Sequence, residues 1–135
     1  MRIIALDYGS KRIGVAVSDP LGLIAQPLAT LDHDQVMPQL KELLKQYDQV
    51  DEIVVGLPKK LSGELGPAAA NVLAFVEQLK QAFPVKISTY DERLTTAAAE
   101  RTLIEAGLSR KKRKQVIDRS AAANILQDYL ERRNK

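Results

Sequence analysis

Three carboxylates stand where this sequence could do chemistry. Asp7 closes the apolar run Ile3-Ile4-Ala5-Leu6 and is followed at once by the polar turn Tyr8-Gly9-Ser10-Lys11-Arg12, which leads into a second strand-like stretch ending at Ser18. The alternating stretch Val85 to Tyr90 runs into Asp91-Glu92-Arg93, so Glu92 too falls at the C-terminal end of a strand. A carboxylate at the rim of a buried sheet is costly unless it meets a cation. Asp118 falls in a helical segment, within about 60° of Ala121, Ala122, Ile125 and Tyr129, on an apolar face where an acid needs a partner. Each acid has an ordinary alternative role: Asp7 and Glu92 as turn residues, Asp118 as an ion-pair partner of Lys114 one turn earlier. Taken together at one sheet rim, shared metal binding accounts for them better.

Composition limits which metal. The chain has no cysteine and one histidine, so a thiolate or multi-histidine site is excluded. Oxygen ligands favour magnesium, manganese or calcium. His33, within Asp32-His33-Asp34, reads as part of a helix-entry loop rather than a ligand cluster. Asp19, Asp91 and Glu100 are either auxiliary acids or solvated ones.

The basic residues point to phosphate. Lys11, Arg12 and Arg93 flank the acids, and Arg110-Lys111-Lys112-Arg113-Lys114 forms a continuous run. The formal net charge is +3, so this run of five carries the whole positive excess and the rest of the chain is net acidic. Such local basicity suits a backbone-gripping segment; a solvated loop is the plainer alternative. With four tyrosines, two phenylalanines and no tryptophan, extensive base stacking cannot dominate recognition. Backbone and shape would carry it, as for structured RNA or branched DNA.

The elements that must position these residues alternate along the chain. Strands are expected at about 2–7, 12–18 and 24–30, the first two as a hairpin, followed by a helix over 35–47 with Asp34 as N-cap. Ile53-Val54-Val55-Gly56-Leu57 has the continuous apolar character of a central parallel strand, ended by Pro58. Pro67 opens a helix over 67–82 whose inward stripe is Ala69, Val72, Leu73, Val76 and Leu79. A last strand over 85–90, a helix over 96–106, the basic run as a connector and a helix over 115–132 complete the chain. This order implies an α/β domain with a mixed sheet flanked by helices, its site beyond the C-terminal ends of the parallel strands. Residues 1–135 read as a single domain. No apolar run reaches membrane-spanning length and no signal-peptide pattern opens the chain, so a cytoplasmic protein with no membrane contact is expected.

Four stretches together resemble one family: Leu6-Asp7-Tyr8-Gly9-Ser10-Lys11-Arg12-Ile13-Gly14-Val15-Ala16; Gly56-Leu57-Pro58 with Gly63 and Gly66-Pro67; Tyr90-Asp91-Glu92-Arg93-Leu94-Thr95-Thr96; and Asp118 with Ala121-Ala122-Ala123 and Ile125-Leu126. The chain is similar over residues 1 to about 131 to the YqgF (RuvX) family, bacterial ribonuclease H-like proteins named for Holliday junction resolution and, more recently, for pre-16S rRNA cleavage. The resemblance implies a ribonuclease H-like five-stranded sheet and an acidic triad, Asp7, Glu92 and Asp118, holding two magnesium or manganese ions about 3.5 to 4 Å apart, with Asp7 bridging. It implies a phosphodiester hydrolase acting on structured RNA such as pre-rRNA within a ribosome precursor, with branched DNA as the alternative substrate. One stretch departs from the family: Lys59-Lys60-Leu61-Ser62-Gly63 replaces a Leu-Asn-Met-like loop, and its Lys59 and Lys60 suit a phosphate instead. Two rivals keep the fold without the chemistry, an actin-like ATPase lobe and a noncatalytic RNA-binding assembly factor. The first normally needs two such domains and the second would be marked by a damaged triad, whereas this triad is intact. Neither endonuclease against exonuclease action nor oligomeric state is encoded legibly.

Overall fold

The computed structural model describes residues 2–47, 49–59, 62–92, 107 and 109–134, with 110–120 described as backbone only. Five strands form one mixed sheet: β1 (Ile3–Tyr8), β2 (Arg12–Ser18), β3 (Ala25–Asp32), β4 (Glu52–Leu57) and β5 (Lys86–Asp91), in the order β3-β2-β1-β4-β5. The first three pair antiparallel, while β4 runs parallel to both β1 and β5. The hairpin turn between β1 and β2 closes through a 3.0 Å bond from the Gly9 N–H to the Arg12 carbonyl; a Cβ on Gly9 would stand 2.5 Å from that oxygen, so only glycine fits. Pro27 lies in the edge strand β3, beside a register shift between Val15 and Ala16, where a missing N–H is tolerated.

Strand alternation sorts the side chains onto two faces. Ile4, Leu6, Ile13, Val15, Ile53 and Val55 pack under α1 (Val36–Leu44) and α2 (Pro67–Ala82). Ile3, Ala5, Ala16 and Val54 pack under α3 (Arg110–Arg133), which contributes Ala122, Ile125, Leu126 and Leu130. The α3 face is built from smaller residues, so this helix lies close to the sheet.

Several boundaries differ from the sequence expectation. A short 3-10 turn, His33–Gln35, precedes α1, so Asp34 does not cap it. In α2, Phe75 is buried and Leu73 is 38% exposed, reversing the expected stripe at that point. Helix α3 begins at Arg110 and not at 115, taking in the whole basic run, because lysine and arginine are good helix formers. The expected helix over 96–106 lies outside the described residues.

Asp19 stands at the sheet end away from the Asp7 rim, where its carboxylate accepts the N–H groups of Leu21, Leu23 and Ile24. These bonds hold its pKa below the usual carboxylate range, that from Ile24 most strongly. It is a turn-forming residue.

Candidate nucleic-acid-cleaving site

Asp7 and Glu92 meet. Parallel pairing of β1 with β4 and of β4 with β5 brings the C-terminal ends of all three strands to one rim. Glu92 follows β5 immediately, and its half-buried carboxyl is hydrogen-bonded to Asp7. Burial raises its pKa, and the hydrogen bond and the charges of Asp7 and Asp91 raise it further, to about 8. Two carboxyl groups this close in a partly dry rim disfavour a second negative charge unless a cation balances it. The all-oxygen donor set fits a hard divalent ion.

Two glycines make room for this pair. Gly14 stands opposite Asp7 across the β1–β2 ladder, and a Cβ there would lie 3.7 Å from Asp7 Cβ and 3.6 Å from Ala122 Cβ. The missing side chain opens a cleft of about 480 Å³ lined by Asp7, Arg12, Gly14, Thr30, Ala121 and Ala122. Gly56 seats Glu92: a Cβ at this position would stand 2.9 Å from Glu92 Cγ and 2.8 Å from Ile125 Cδ1, and would collide with the carboxylate oxygen. Sequence reading gave Gly56 no role in the site, since its neighbour across the sheet becomes known only with the β4–β5 register.

Asp118 is placed within α3, one turn before Ala122, which is buried beside the Asp7 cleft. Its side chain lies outside the described residues. Among the described residues no three acids or histidines gather in metal-binding geometry; Asp7 and Glu92 form a pair. Arg12 joins Asp7 in the cleft, and Lys11 is exposed at the hairpin tip. Lys59 is half-buried and its backbone bridges Leu65 across the loop before α2. Lys60 and Arg93 lie outside the described residues, as do the side chains of Arg110, Lys111, Lys112, Arg113 and Lys114.

The lower end of α3 is fixed by acids that the sequence reading overlooked. Glu52, 3% exposed at the start of β4, accepts the hydroxyls of Ser88 at 2.7 Å and Tyr129 at 2.5 Å and lies 3.5 Å from Arg133. Tyr90 donates to Asp128, which also accepts from Arg132 at 3.2 Å. An acid directly preceding the apolar run Ile53-Val54-Val55 was the available signal.

Comparison with known proteins agrees with this architecture. The family model described as "Holliday junction resolvase", RuvX, matches residues 1–132. A Listeria innocua protein named "Putative pre-16S rRNA nuclease" is 50% identical over 139 residues, covering 99% of this chain and 100% of its own. One of the same name from Moorella thermoacetica is 51% identical over 135 residues, covering 98% and 96%. Among solved structures, the Fowlpox virus resolvase in complex with Holliday junction DNA covers 100% of both chains with a TM-score of 0.50 at 13% identity, a likeness of fold. The mixed five-stranded sheet, the helices on both its faces and the full-length sequence match make this chain a member of the RuvX (YqgF) family with a ribonuclease H-like fold.

Proposed function

We propose that this protein is a metal-dependent nuclease that hydrolyses phosphodiester bonds, and that its substrate is the 5′ region of pre-16S rRNA during ribosome maturation. The observation that carries this reading is the hydrogen-bonded Asp7–Glu92 pair at the C-terminal rim of β1 and β5, with Arg12 in the same cleft. The names of the half-identical relatives support the substrate. Asp7, Glu92 and Asp118 would hold two magnesium or manganese ions. When bound, such a pair supplies Lewis acidity and neutralises charge building on the phosphate. Arg12 holds a phosphate oxygen, and the absent side chain at Gly14 lets the strand reach Asp7. Lys11, Lys59, Lys60, Arg93 and the basic turns from Arg110 to Lys114 grip backbone farther away.

A cleavage panel tests this: structured RNA with the 16S 5′ leader, single strands, duplex and a four-way DNA junction, each with magnesium or manganese. The wild type should cut the leader RNA and Asp7→Asn should not, while still folding and binding. The amide is nearly isosteric but lacks the charge to hold two cations. Equal cleavage by both proteins would remove Asp7 from the chemistry. Cleavage of the junction alone would favour the family's other description, Holliday junction resolvase.

A further inference from the structure

Strand alternation puts Tyr8 on the sheet face opposite Asp7, and there a second cavity of about 480 Å³ opens at the same rim, lined by Tyr8, Ser10, His33, Asn71, Phe75 and Gln78. The two hollows are separated only by the end of β1. Their chemistry differs sharply. The Asp7 cleft holds an acid and a guanidinium, whereas among the described residues the lining of the second contains no lysine, arginine, aspartate or glutamate. It therefore suits a neutral ligand and not a phosphate.

Aromatic rings form one side of it. The Tyr8 ring lies 4.5 Å from Phe75, tilted by 30°, and 5.2 Å from His33, edge to face. His33 Nδ1 lies 3.4 Å from Asp34 Oδ1, and its Nε2 is hydrogen-bonded to the Tyr8 hydroxyl at 2.7 Å. This bond orients the tyrosine and leaves a third of the imidazole exposed. Opposite, Asn71 and Gln78 project from α2 two turns apart, and among the described residues their amides and the Ser10 hydroxyl make no hydrogen bond. A flat ligand with an apolar face and an edge of mixed donors and acceptors satisfies this set. Amide side chains pair with such an edge, and aromatic rings stack bases splayed out of single strands.

We propose that this cavity receives one unpaired nucleobase of the nucleic acid whose backbone lies at Asp7. The inference rests on the nuclease reading and deepens it: the strand must be single-stranded beside the reacting phosphate, because a base in a duplex cannot turn across the β1 rim.

Asp7→Asn protein, with single-stranded oligonucleotides carrying 2-aminopurine at successive positions, reads this directly. RNA and DNA of one sequence form separate arms, each compared with its full duplex. Saturable change of emission is expected at one position of the single strand and at none of the duplex. Asn71→Ala with Gln78→Ala should weaken binding about tenfold and abolish that change. Both residues are exposed on α2 and alanine favours helix, so the variant folds. Binding unaltered by the double substitution, with no position responding, overturns the base site and leaves the nuclease reading standing. No binding of either nucleic acid overturns both. A responding base with no cleavage by the wild type in magnesium or manganese keeps the base site and sinks the nuclease.

Discussion

At position 56 a methyl group would occupy the space of the Glu92 carboxylate, so Gly56→Ala must push that acid off its seat. Overpacking of this kind costs about 1 to 3 kcal/mol. We expect cleavage to fall more than stability does, measured by comparing urea midpoints with single-turnover rates; a loss of stability with an unchanged rate would show that Glu92 need not sit there. The raised pKa of Glu92 has its own consequence. A carboxyl protonated up to about pH 8 in the folded chain, against about 4.5 unfolded, contributes stability below pH 4.5 that is lost as pH rises through 8. Thermal scans without divalent ions should therefore show a decline across this window, and calorimetry with magnesium at pH 7 should detect proton release on binding. Asp7 and Glu92 were legible as candidates because strand ends can be read from sequence. The raised pKa of Glu92 was not, since it follows from the meeting of residues far apart in the chain.

Helix α3 is fastened at its C-terminal end by two tyrosine–carboxylate bonds, Tyr129 to Glu52 and Tyr90 to Asp128. Burial and the bond to Glu52 push the Tyr129 hydroxyl pKa up, so it remains a donor at all working pH values. Tyr129→Phe removes a hydrogen bond to a buried charge and should lower unfolding free energy by about 1.5 kcal/mol in denaturant titrations. Strands were legible from their β-branched runs, and α2 from its proline and period. Within α2, Leu73 and Phe75 lie about equally far to either side of the stripe formed by Ala69, Val72, Val76 and Leu79, so periodicity could not choose between them. The Tyr8 ring, packed on Phe75, decides it. The start of α3 was misread because a run of five charges looks like a loop, although its residues are good helix formers.

Across the whole molecule, positive charge is concentrated in the first turns of α3, an end where the helix dipole disfavours it. Replacing Lys111, Lys112, Arg113 and Lys114 with glutamine should leave the helix at least as stable. Nucleic-acid binding should weaken similarly for all sequences, and its salt dependence should flatten by about 0.7 to 0.9 log unit for each phosphate no longer neutralised. A salt slope identical to wild type would make the run a solvated helix end. Among the described residues no helix is long and apolar enough to cross a membrane. Overall class was legible because the order of strand-like and helix-like segments constrains topology strongly; the second cavity was not, because its walls come from β1, the turn before α1 and α2.

The two faces of the sheet also differ in when they can be completed. Strands β1, β2 and β3 are consecutive and can pair as they leave the ribosome, and α1 and α2 follow early enough to cover their own face. The opposite face, with Ile3, Ala5, Ala16 and Val54, stays bare until Ala122, Ile125, Leu126 and Leu130 have been synthesised. Under the nuclease reading, the segment that delivers Asp118 is the one that closes this face. Cutting competence therefore arrives only after every strand has been made, once the helix that carries Asp118 can dock on the sheet.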